Sequence, residues 1–270
     1  MTSSTHIFYA CDEIEKCFIT SIWRLQDNTG HERVETILPK GTVEIIFNLS
    51  ERVIYVNPDT NTRATLPTCF INGINFRPFH LIKNGQQLFV GIQLNVIGLK
   101  ALLEIPVKEF NDTIVESSIV CKSLAELHHQ LFSTNTFEEQ VRIIRRWMHQ
   151  RISISKYGYK VNKIHTLFYS HNLNNPTIKE FSIKKCISDR QLRRLSSEWL
   201  GMNTEEFLSY NKYLSALHSL HYSDLSLGQI ALEAGYYDQS HFIREFKSYT
   251  RITPKEYRLS VKGIPGHIFD

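Results

Sequence analysis

Two short segments of the sequence combine arginine, glutamine and hydroxyl side chains at the spacing of one helical face. In the first segment these polar residues are Asp189, Arg190, Gln191, Arg193 and Arg194, and in the second they are Tyr237, Gln239, Ser240, His241, Arg244 and Lys247. A guanidinium can hold guanine O6 and N7 with two hydrogen bonds, and a glutamine amide can pair with adenine in the same way. Both segments therefore carry the chemistry needed to contact the edges of DNA bases.

The two segments also offer different kinds of contact. Arg190 is the first candidate for a base contact, and Gln191 and Gln239 are candidates for adenine. The candidates for phosphate contacts are Arg193, Arg244 and Lys247 on the helix faces, with Thr177, Thr253 and Lys255 at helix starts. An isolated arginine on an amphipathic helix is usually only solvated, so these predictions depend on the elements that present the side chains.

Local capping chemistry predicts a helix-turn-helix unit over residues 177–201. Its signals are two capping-box patterns, Thr177 with Glu180 and Ser188 with Gln191, and the terminating residue Gly201. Ile183 is expected on the apolar face of the first helix, and Leu192 and Trp199 on that of the second. A loop is expected before the unit, at 172–176.

A second unit is predicted over 226–250 by the same kind of signals. These are the capping pair Ser226 and Gln229, the terminating Gly235, the cap Asp238, and a final capping box from Thr253 to Glu256. Here His241 either contacts the DNA groove, packs beside Tyr237 or caps its own turn. One of Tyr236 and Tyr237 should pack while the other is exposed, and the sequence does not decide which.

A long helix is expected to join the two units. It spans residues 204–221, with Phe207, Tyr210, Leu214 and Leu217 turned inward, and at 1.5 Å per residue it forms a rod of roughly 27 Å. Two helix pairs joined by one rod are thus predicted from local chemistry.

The residues of the second unit resemble the signature of the AraC family. The matching residues are Ile230-Ala231, Gly235-Tyr236, Asp238-Gln239-Ser240-His241-Phe242, Arg244, Phe246-Lys247, Thr253-Pro254 and Tyr257-Arg258. The first unit matches more loosely, and Arg251 and Leu195 stand where the family usually has glycine and phenylalanine. The resemblance implies a bacterial transcription regulator that binds duplex DNA, with an AraC-type DNA-binding domain over 156–262.

The N-terminal part, residues 1–150, is predicted to be a β-rich domain with capping helices. Strand patterns cover 42–49, 52–56 and 88–94, and helical periodicity begins near 97. The fold class is therefore α+β, a mixed N-terminal domain followed by an all-α domain. The N-terminal part also resembles that of some AraC-type regulators with poorly known ligands, which implies a sensing or pairing role.

Composition favours an ordinary globular protein. The chain has 270 residues with 42% hydrophobic and 21% charged, and lacks an apolar run of membrane-spanning length. The start of the sequence is unlike a secretory signal, which favours the cytoplasm and no membrane partner. The formal net charge of +4 is concentrated after Ser155, which suits a polyanionic partner.

Patterns for catalysis are absent from the sequence, so an enzyme is not expected. There is no HExxH, GxSxG or P-loop motif, and neither a metal site nor a cofactor is predicted. His128 and His129 are adjacent on a helix, diverge, and are expected to be solvated. Cys69 has no neighbouring base or cation in sequence, so a buried structural thiol is expected.

Three functions from different classes remain open at this point. The first is a transcription regulator whose partners are double-stranded DNA, a small-molecule effector, a second copy of the chain as a homodimer, and RNA polymerase. The second is a ligand-binding or protein-interaction module whose helical domain docks a protein partner. The third is an enzyme fused to a DNA-binding module. A cavity in the β-rich domain would be lined by aromatic candidates, namely Trp23, Phe47, Phe70 and Phe89, although core packing explains the same residues.

Overall fold

A computed structural model describes residues 4–50, 52–169, 177–260 and 264–269. Two antiparallel sheets occupy the N-terminal part, and helices follow them, so the predicted α+β class is confirmed. The loop expected at 172–176 lies outside the described residues. Within the ranges that are described, none of the helices has the length and apolar composition needed to cross a bilayer.

Strands are numbered along the chain and form one six-stranded and one five-stranded sheet. The first has the order β1 (Ser4–Tyr9), β2 (Ile19–Asp27), β9 (Gln87–Leu94), β4 (Val43–Asn48), β7 (Cys69–Asn72) and β10 (Ile114–Glu116). The second has the order β11 (His267–Phe269), β3 (Arg33–Ile37), β8 (Phe79–Lys83), β5 (Val53–Asn57) and β6 (Thr62–Thr65). The three strands expected from the sequence correspond to β4, β5 and β9.

Side chains alternate between the two faces of the six-stranded sheet, because the period of a strand is two residues. In β4, Ile45 and Phe47 are fully buried in the main core, whereas Glu44 and Ile46 face the other sheet. A smaller apolar cluster lies between the sheets and includes Val53 and Phe89. The six-stranded sheet is thus covered on both faces.

In the described residues, five helices follow the N-terminal strands, of which the first three pack on the sheet and the other two on those helices. They are α1 (Val96–Leu103), α2 (Ser117–Val120), α3 (Lys122–Phe132), α4 (Phe137–Ile154) and α5 (Gly158–Tyr169). Every residue of α1 is buried, as expected for a helix placed between the sheet and other helices. The Thr136 hydroxyl caps α4 by accepting a hydrogen bond from the Glu139 amide.

Six further helices lie within residues 177–260. They are α6 (Ile178–Lys184), α7 (Asp189–Leu200), α8 (Thr204–Tyr222), α9 (Leu227–Glu233), α10 (Gln239–Thr250) and α11 (Pro254–Ser260). Both helix-turn-helix units and the long connecting helix are present at their predicted places. The prediction for Ile183 is wrong, because this side chain is 67% exposed, while Phe181 is buried in the core and Ile178 packs against it. Leu214 is half-buried, and Tyr213, which the periodicity missed, is fully buried.

The connecting helix α8 packs against the N-terminal part through its tyrosines. Tyr210 Oη donates to the Asn75 carbonyl at 2.7 Å and accepts from the Gly41 amide at 3.1 Å. Tyr213 Oη donates to the Pro39 carbonyl at 2.7 Å. These buried hydrogen bonds define where the two helix-turn-helix units sit relative to the sheets.

Candidate DNA-binding surface and ligand cavity

The N-terminal end of α7 presents the polar residues that the sequence singled out. All five, Asp189, Arg190, Gln191, Arg193 and Arg194, are exposed, while Leu192 and Trp199 on the opposite face are buried. The Ser188 hydroxyl accepts a hydrogen bond from the Gln191 amide at 3.3 Å. Only this half of the expected capping box forms. The Gln191 side chain is therefore free to project from the helix.

Three of these five side chains are engaged within the protein. Asp189 Oδ1 accepts a hydrogen bond of 2.5 Å from Ser182 Oγ, which ties the start of α7 to α6. Arg193 pairs with Glu205 at 2.6 Å, and Arg194 lies 3.7 Å from a Glu198 oxygen. Among the ion pairs of the described residues, none involves Arg190.

The second unit presents an equivalent surface on α10. The Asp238 carboxylate caps this helix by accepting from the His241 amide at 2.7 Å. The exposed residues on its outer side are Gln239, Ser240, Arg244 and Lys247. Their exposure follows from the full burial of Phe242 and Phe246, which turns the polar face outward.

Around the turn of the second unit, the structure shows which tyrosine is buried and which side chains His241 contacts. Tyr236 is buried and Tyr237 is 92% exposed. His241 is half-buried, with its ring centroid 5.3 Å from that of Tyr236 and its Nε2 atom 3.2 Å from a Glu245 oxygen. His241 therefore packs on Tyr236 rather than beside Tyr237, and one edge of its ring stays at the surface.

The predicted phosphate contacts at helix starts face acidic neighbours. The amide and hydroxyl of Thr177 both donate to Glu180, and those of Thr253 both donate to Glu256. Hydrogen bonds from the threonine amides are the main reason that the pKa of each glutamate is lowered. Since an ionised carboxylate repels phosphate, only other first-turn amides are suited to such a contact. Lys255 is exposed beside Thr253.

Arg251 departs from the family pattern in a way that the structure explains. It ends α10 in the left-handed conformation, with φ of 66°, which favours glycine. Its guanidinium forms an ion pair with Asp59 in the turn between β5 and β6. Asp59 also pairs with Arg77 at 3.1 Å. A side chain at this position thus connects the second unit to the N-terminal sheets.

A cavity of about 450 Å³ lies between the two sheets. Of the aromatic candidates, Trp23, Phe70 and Phe89 line it, whereas Phe47 belongs to the core on the other face of the sheet. Gly91 lies beneath Trp23, and a β-carbon there would be 2.1 Å from the indole ring. The glycine therefore leaves the room that the indole occupies along the cavity wall.

Buried charges at the cavity wall pair with one another. Glu35 forms an ion pair with Lys83 and lies 2.6 Å from His267 Nδ1. Burial raises the pKa of Glu35, but Lys83 and His267 outweigh it and lower that pKa to about 2. For His267, burial and the neighbouring Lys40 lower the pKa despite the hydrogen bond to Glu35. At neutral pH this arrangement has Glu35 ionised and His267 uncharged, with Lys40 Nζ 3.1 Å from His267 Nε2.

The remaining candidates for chemistry are structural. Cys69 is buried, as expected, and burial raises the pKa of its thiol to about 12. His129 is exposed, but His128 is half-buried against Phe47, with ring centroids 6.4 Å apart, so the expectation of two solvated histidines holds for only one. In the part of the chain that the structure describes, no group of three His, Cys, Asp or Glu side chains is placed to hold a metal.

The fold and this surface define a protein with two helix-turn-helix units on one connecting helix. Residues 184–260 match the family model of a helix-turn-helix domain, and residues 16–116 match that of a domain of unknown function, DUF6597. The C-terminal part of the chain is an AraC-type helix-turn-helix domain, as its motif predicts.

Similar proteins include regulators known only by their domain type. An uncharacterised HTH-type transcriptional regulator of Staphylococcus aureus is 28% identical over 145 residues, which is 54% of this chain and 19% of that protein. Another from Haemophilus influenzae is 33% identical over 88 residues, 33% of this chain and 30% of that one. The chain thus spans about a fifth of the length of the staphylococcal relative. The crystal structure of ToxT from Vibrio cholerae aligns with 97% of this chain and 99% of its own, at a TM-score of 0.48 and 13% identity.

Proposed function

We propose that this protein is a sequence-specific transcription regulator that contacts two neighbouring major-groove segments of duplex DNA. The observation that carries the proposal is the pair of exposed polar faces on α7 and α10, each the second helix of a helix-turn-helix unit. The second helix of such a unit is the one that enters the major groove.

The length of α8 supports contacts on one face of the DNA. Its 19 residues make a rod of roughly 28 Å at 1.5 Å per residue. Successive major-groove segments on one face of B-DNA lie about 34 Å apart. A rod of this length, with a helix pair at each end, suits that spacing.

Within this proposal, Arg190 and Gln191 contact bases and their neighbours hold phosphates. Arg190 is exposed and has no acidic partner among the described residues. Its guanidinium is therefore able to donate two hydrogen bonds to one guanine. Arg193 and Arg194 have acidic partners and are better suited to positioning on the backbone. On α10, Gln239 is assigned to a base, and Arg244 and Lys247 to phosphates.

The N-terminal part has the role of a sensor in this proposal. Its cavity is within the size range of small-molecule sites, and its wall combines apolar and aromatic side chains with paired charged groups. A homodimer and RNA polymerase are the protein partners we propose, and the cytoplasm is the proposed location. No catalytic role is assigned, because the carboxylates of Glu35 and Glu44 in the cavity are engaged in ion pairs and the Cys69 thiol is protonated.

Selection of bound sequences from a random duplex pool tests the proposal. Wild type should enrich one motif, and Arg190→Ala should lose preference at one position of it. Arg142→Ala is the control, since Arg142 is an exposed arginine on α4, far in sequence from both helix-turn-helix units. Binding that is insensitive to salt and enriches no motif would instead favour a helical domain that docks a protein.

A further inference from the structure

The last described segment of the chain, residues 264–269, returns from the helical part to the cavity. Its strand β11 adds to the edge of the five-stranded sheet beside β3, with His267 opposite Ile37 and Phe269 opposite Glu35. Ile264, His267 and Phe269 line the cavity. A segment that follows the DNA-binding domain in sequence thus forms part of the cavity wall.

This part of the wall is held by few contacts. β11 has three residues and pairs with one strand only. Beyond that pairing, the Leu38 amide donates to the Gly266 carbonyl at 2.8 Å, and His267 contacts Glu35 and Lys40. Short edge strands belong to the least stable parts of a fold and open locally without global unfolding. β11 is therefore a part of the wall that can open locally.

The same segment is bonded to the core of the second helix-turn-helix unit. The Gly266 amide donates to Tyr257 Oη at 3.2 Å. Tyr257 lies on α11, is fully buried, and its ring centroid is 5.9 Å from that of Phe246 on α10. A displacement of β11 therefore pulls on a tyrosine that packs against the DNA-facing helix.

The charged groups of the cavity determine what kind of molecule fits. The lining cations are Arg33, Lys40 and Lys83, and the lining acids are Asp27, Glu35 and Glu44. They form the pairs Arg33 with Asp27 at 2.6 Å, Lys40 with Glu44 at 3.4 Å, and Lys83 with Glu35. Since cations and acids are equal in number and paired, a charged ligand would have to compete with these ion pairs, of which Lys83 with Glu35 is buried on both sides.

We propose that the cavity takes an uncharged, largely apolar small molecule, and that β11 is the part of the wall that moves to admit it and transmits its binding to the second helix-turn-helix unit. The ligand class and the moving wall deepen the sensor role proposed above, and the effect on DNA rests on that proposed function. The first two parts can be tested without DNA.

A disulfide that locks β11 tests whether this strand is the moving wall. Thr36 and Ile268 are opposite each other in the β3–β11 pairing and point away from the cavity. A full chain with Thr36→Cys and Ile268→Cys, and with the exposed Cys11 and Cys186 changed to Ser, can be locked by oxidation and released by reduction.

The probe is N-phenyl-1-naphthylamine, a neutral dye that fluoresces in apolar surroundings. Oxidation should slow its association by about tenfold or more, and reduction should restore the rate. The same chain with Thr36→Cys alone should not respond to oxidation. Equal rates in the oxidised and reduced forms would overturn the moving wall.

Ile46→Trp, which fills the cavity, tests where the dye binds. This variant should abolish dye binding. Unchanged binding would place the dye elsewhere and overturn the site.

Displacement of the dye by matched ligands tests the ligand class. We expect 1-decanol to displace the dye. Decanoate should need a concentration at least about tenfold higher, because the decanoate charge must be buried without a free partner. Equal or stronger displacement by decanoate would overturn the neutral class.

The last step measures coupling on a selected DNA duplex. Decanol should change the DNA affinity of the reduced protein and leave that of the oxidised, locked protein unchanged. An equal effect on both would overturn transmission through β11. If no duplex is bound in any form, the proposed DNA function fails, while the dye measurements still decide the ligand class and the moving wall.

Discussion

Arg190 and Arg193 lie on the same helix and differ in their partners. Arg193 pairs with Glu205, whereas the guanidinium of Arg190 projects from α7 without an acidic partner among the described residues. The sequence predicts both arginines as candidates for DNA contact, because their helix and its cap are local features. It does not predict their partners, since Glu205 belongs to the next helix and the approach of α8 to α7 depends on tertiary packing.

Arg190→Ala should remove base discrimination at one position. We expect a loss of about 1–3 kcal/mol on the selected duplex and little change on unrelated DNA, because a bidentate base contact is lost. Lys247→Ala should instead weaken all duplexes alike and lower the salt dependence. Fluorescence anisotropy at several salt concentrations measures both. If Arg190→Ala weakened binding to all duplexes equally, Arg190 would instead contact the DNA backbone.

Glu35 and Lys83 form a buried ion pair, so the effects of replacing each residue on the free energy of unfolding should not be additive. Glu35→Gln leaves the Lys83 ammonium buried without its anion and should lower the free energy of unfolding by about 3–5 kcal/mol. Adding Lys83→Met should recover much of that loss, since neither charge then remains. Urea unfolding measures the cycle, with the exposed Glu138→Gln as control. Additive losses in the double variant would contradict a direct pair.

His267 should make stability depend on pH in the weakly acidic range. Its folded pKa lies below the ordinary value of 6.5, so the unfolded chain takes up a proton first as the pH falls. The groups that face its ring are Glu35, Lys40 and Lys83. Stability contributed by this site is therefore present above about pH 6.5 and lost below it. His267→Gln should reduce the fall in unfolding free energy between about pH 7.5 and 5.5. If the unfolding free energy of this variant fell as much as that of the wild type, the pH dependence would come from other groups.

At the scale of elements, sequence patterns located the helices of the C-terminal part and missed several strands. Caps and terminating glycines act within a few residues, so Thr177, Asp238 and Gly201 mark helix ends by themselves. In β3 and β8, buried Glu35 and Lys83 interrupt the apolar alternation that marks a strand. β11 has only three residues and depends on β3, which is distant in sequence.

The end of α10 offers a test of how the second unit is attached. Arg251→Gly relieves the left-handed backbone while it removes the ion pair with Asp59, so unfolding free energy should change by less than about 1 kcal/mol. Arg251→Ala keeps the backbone strain and should be less stable than Arg251→Gly by about 1 kcal/mol. Thermal unfolding compares the two. Equal stability of the two variants would show that the backbone there carries no strain.

At the scale of the whole molecule, the helical part and the sheets share one interface centred on α8. Sequence patterns located α8 but not its partners, because Tyr213 reaches a carbonyl 174 positions away in the chain. Gly201 ends α7 against the backbone of Lys108, where a β-carbon would lie 2.9 Å from its nitrogen. Such close approaches join the helix-turn-helix units directly to the N-terminal part of the chain.

Tyr213→Phe should show that this interface stabilises the whole chain. It leaves the buried Pro39 carbonyl without its donor, and we expect a loss of about 1–3 kcal/mol in a single cooperative transition. Tyr222→Phe is the matched control, because Tyr222 is 62% exposed on the same helix. Two separate transitions in urea for the wild type would instead indicate that the parts unfold independently.

Methylation interference on a selected duplex tests the central claim most directly, because it reports which guanines are contacted in the major groove. The structure predicts two groups of interfering positions, about 10 base pairs apart on one face of the DNA. Arg190→Ala should remove interference from one group and leave the other. A single group, or no group at all, would contradict DNA binding by two helix-turn-helix units on the rod of α8.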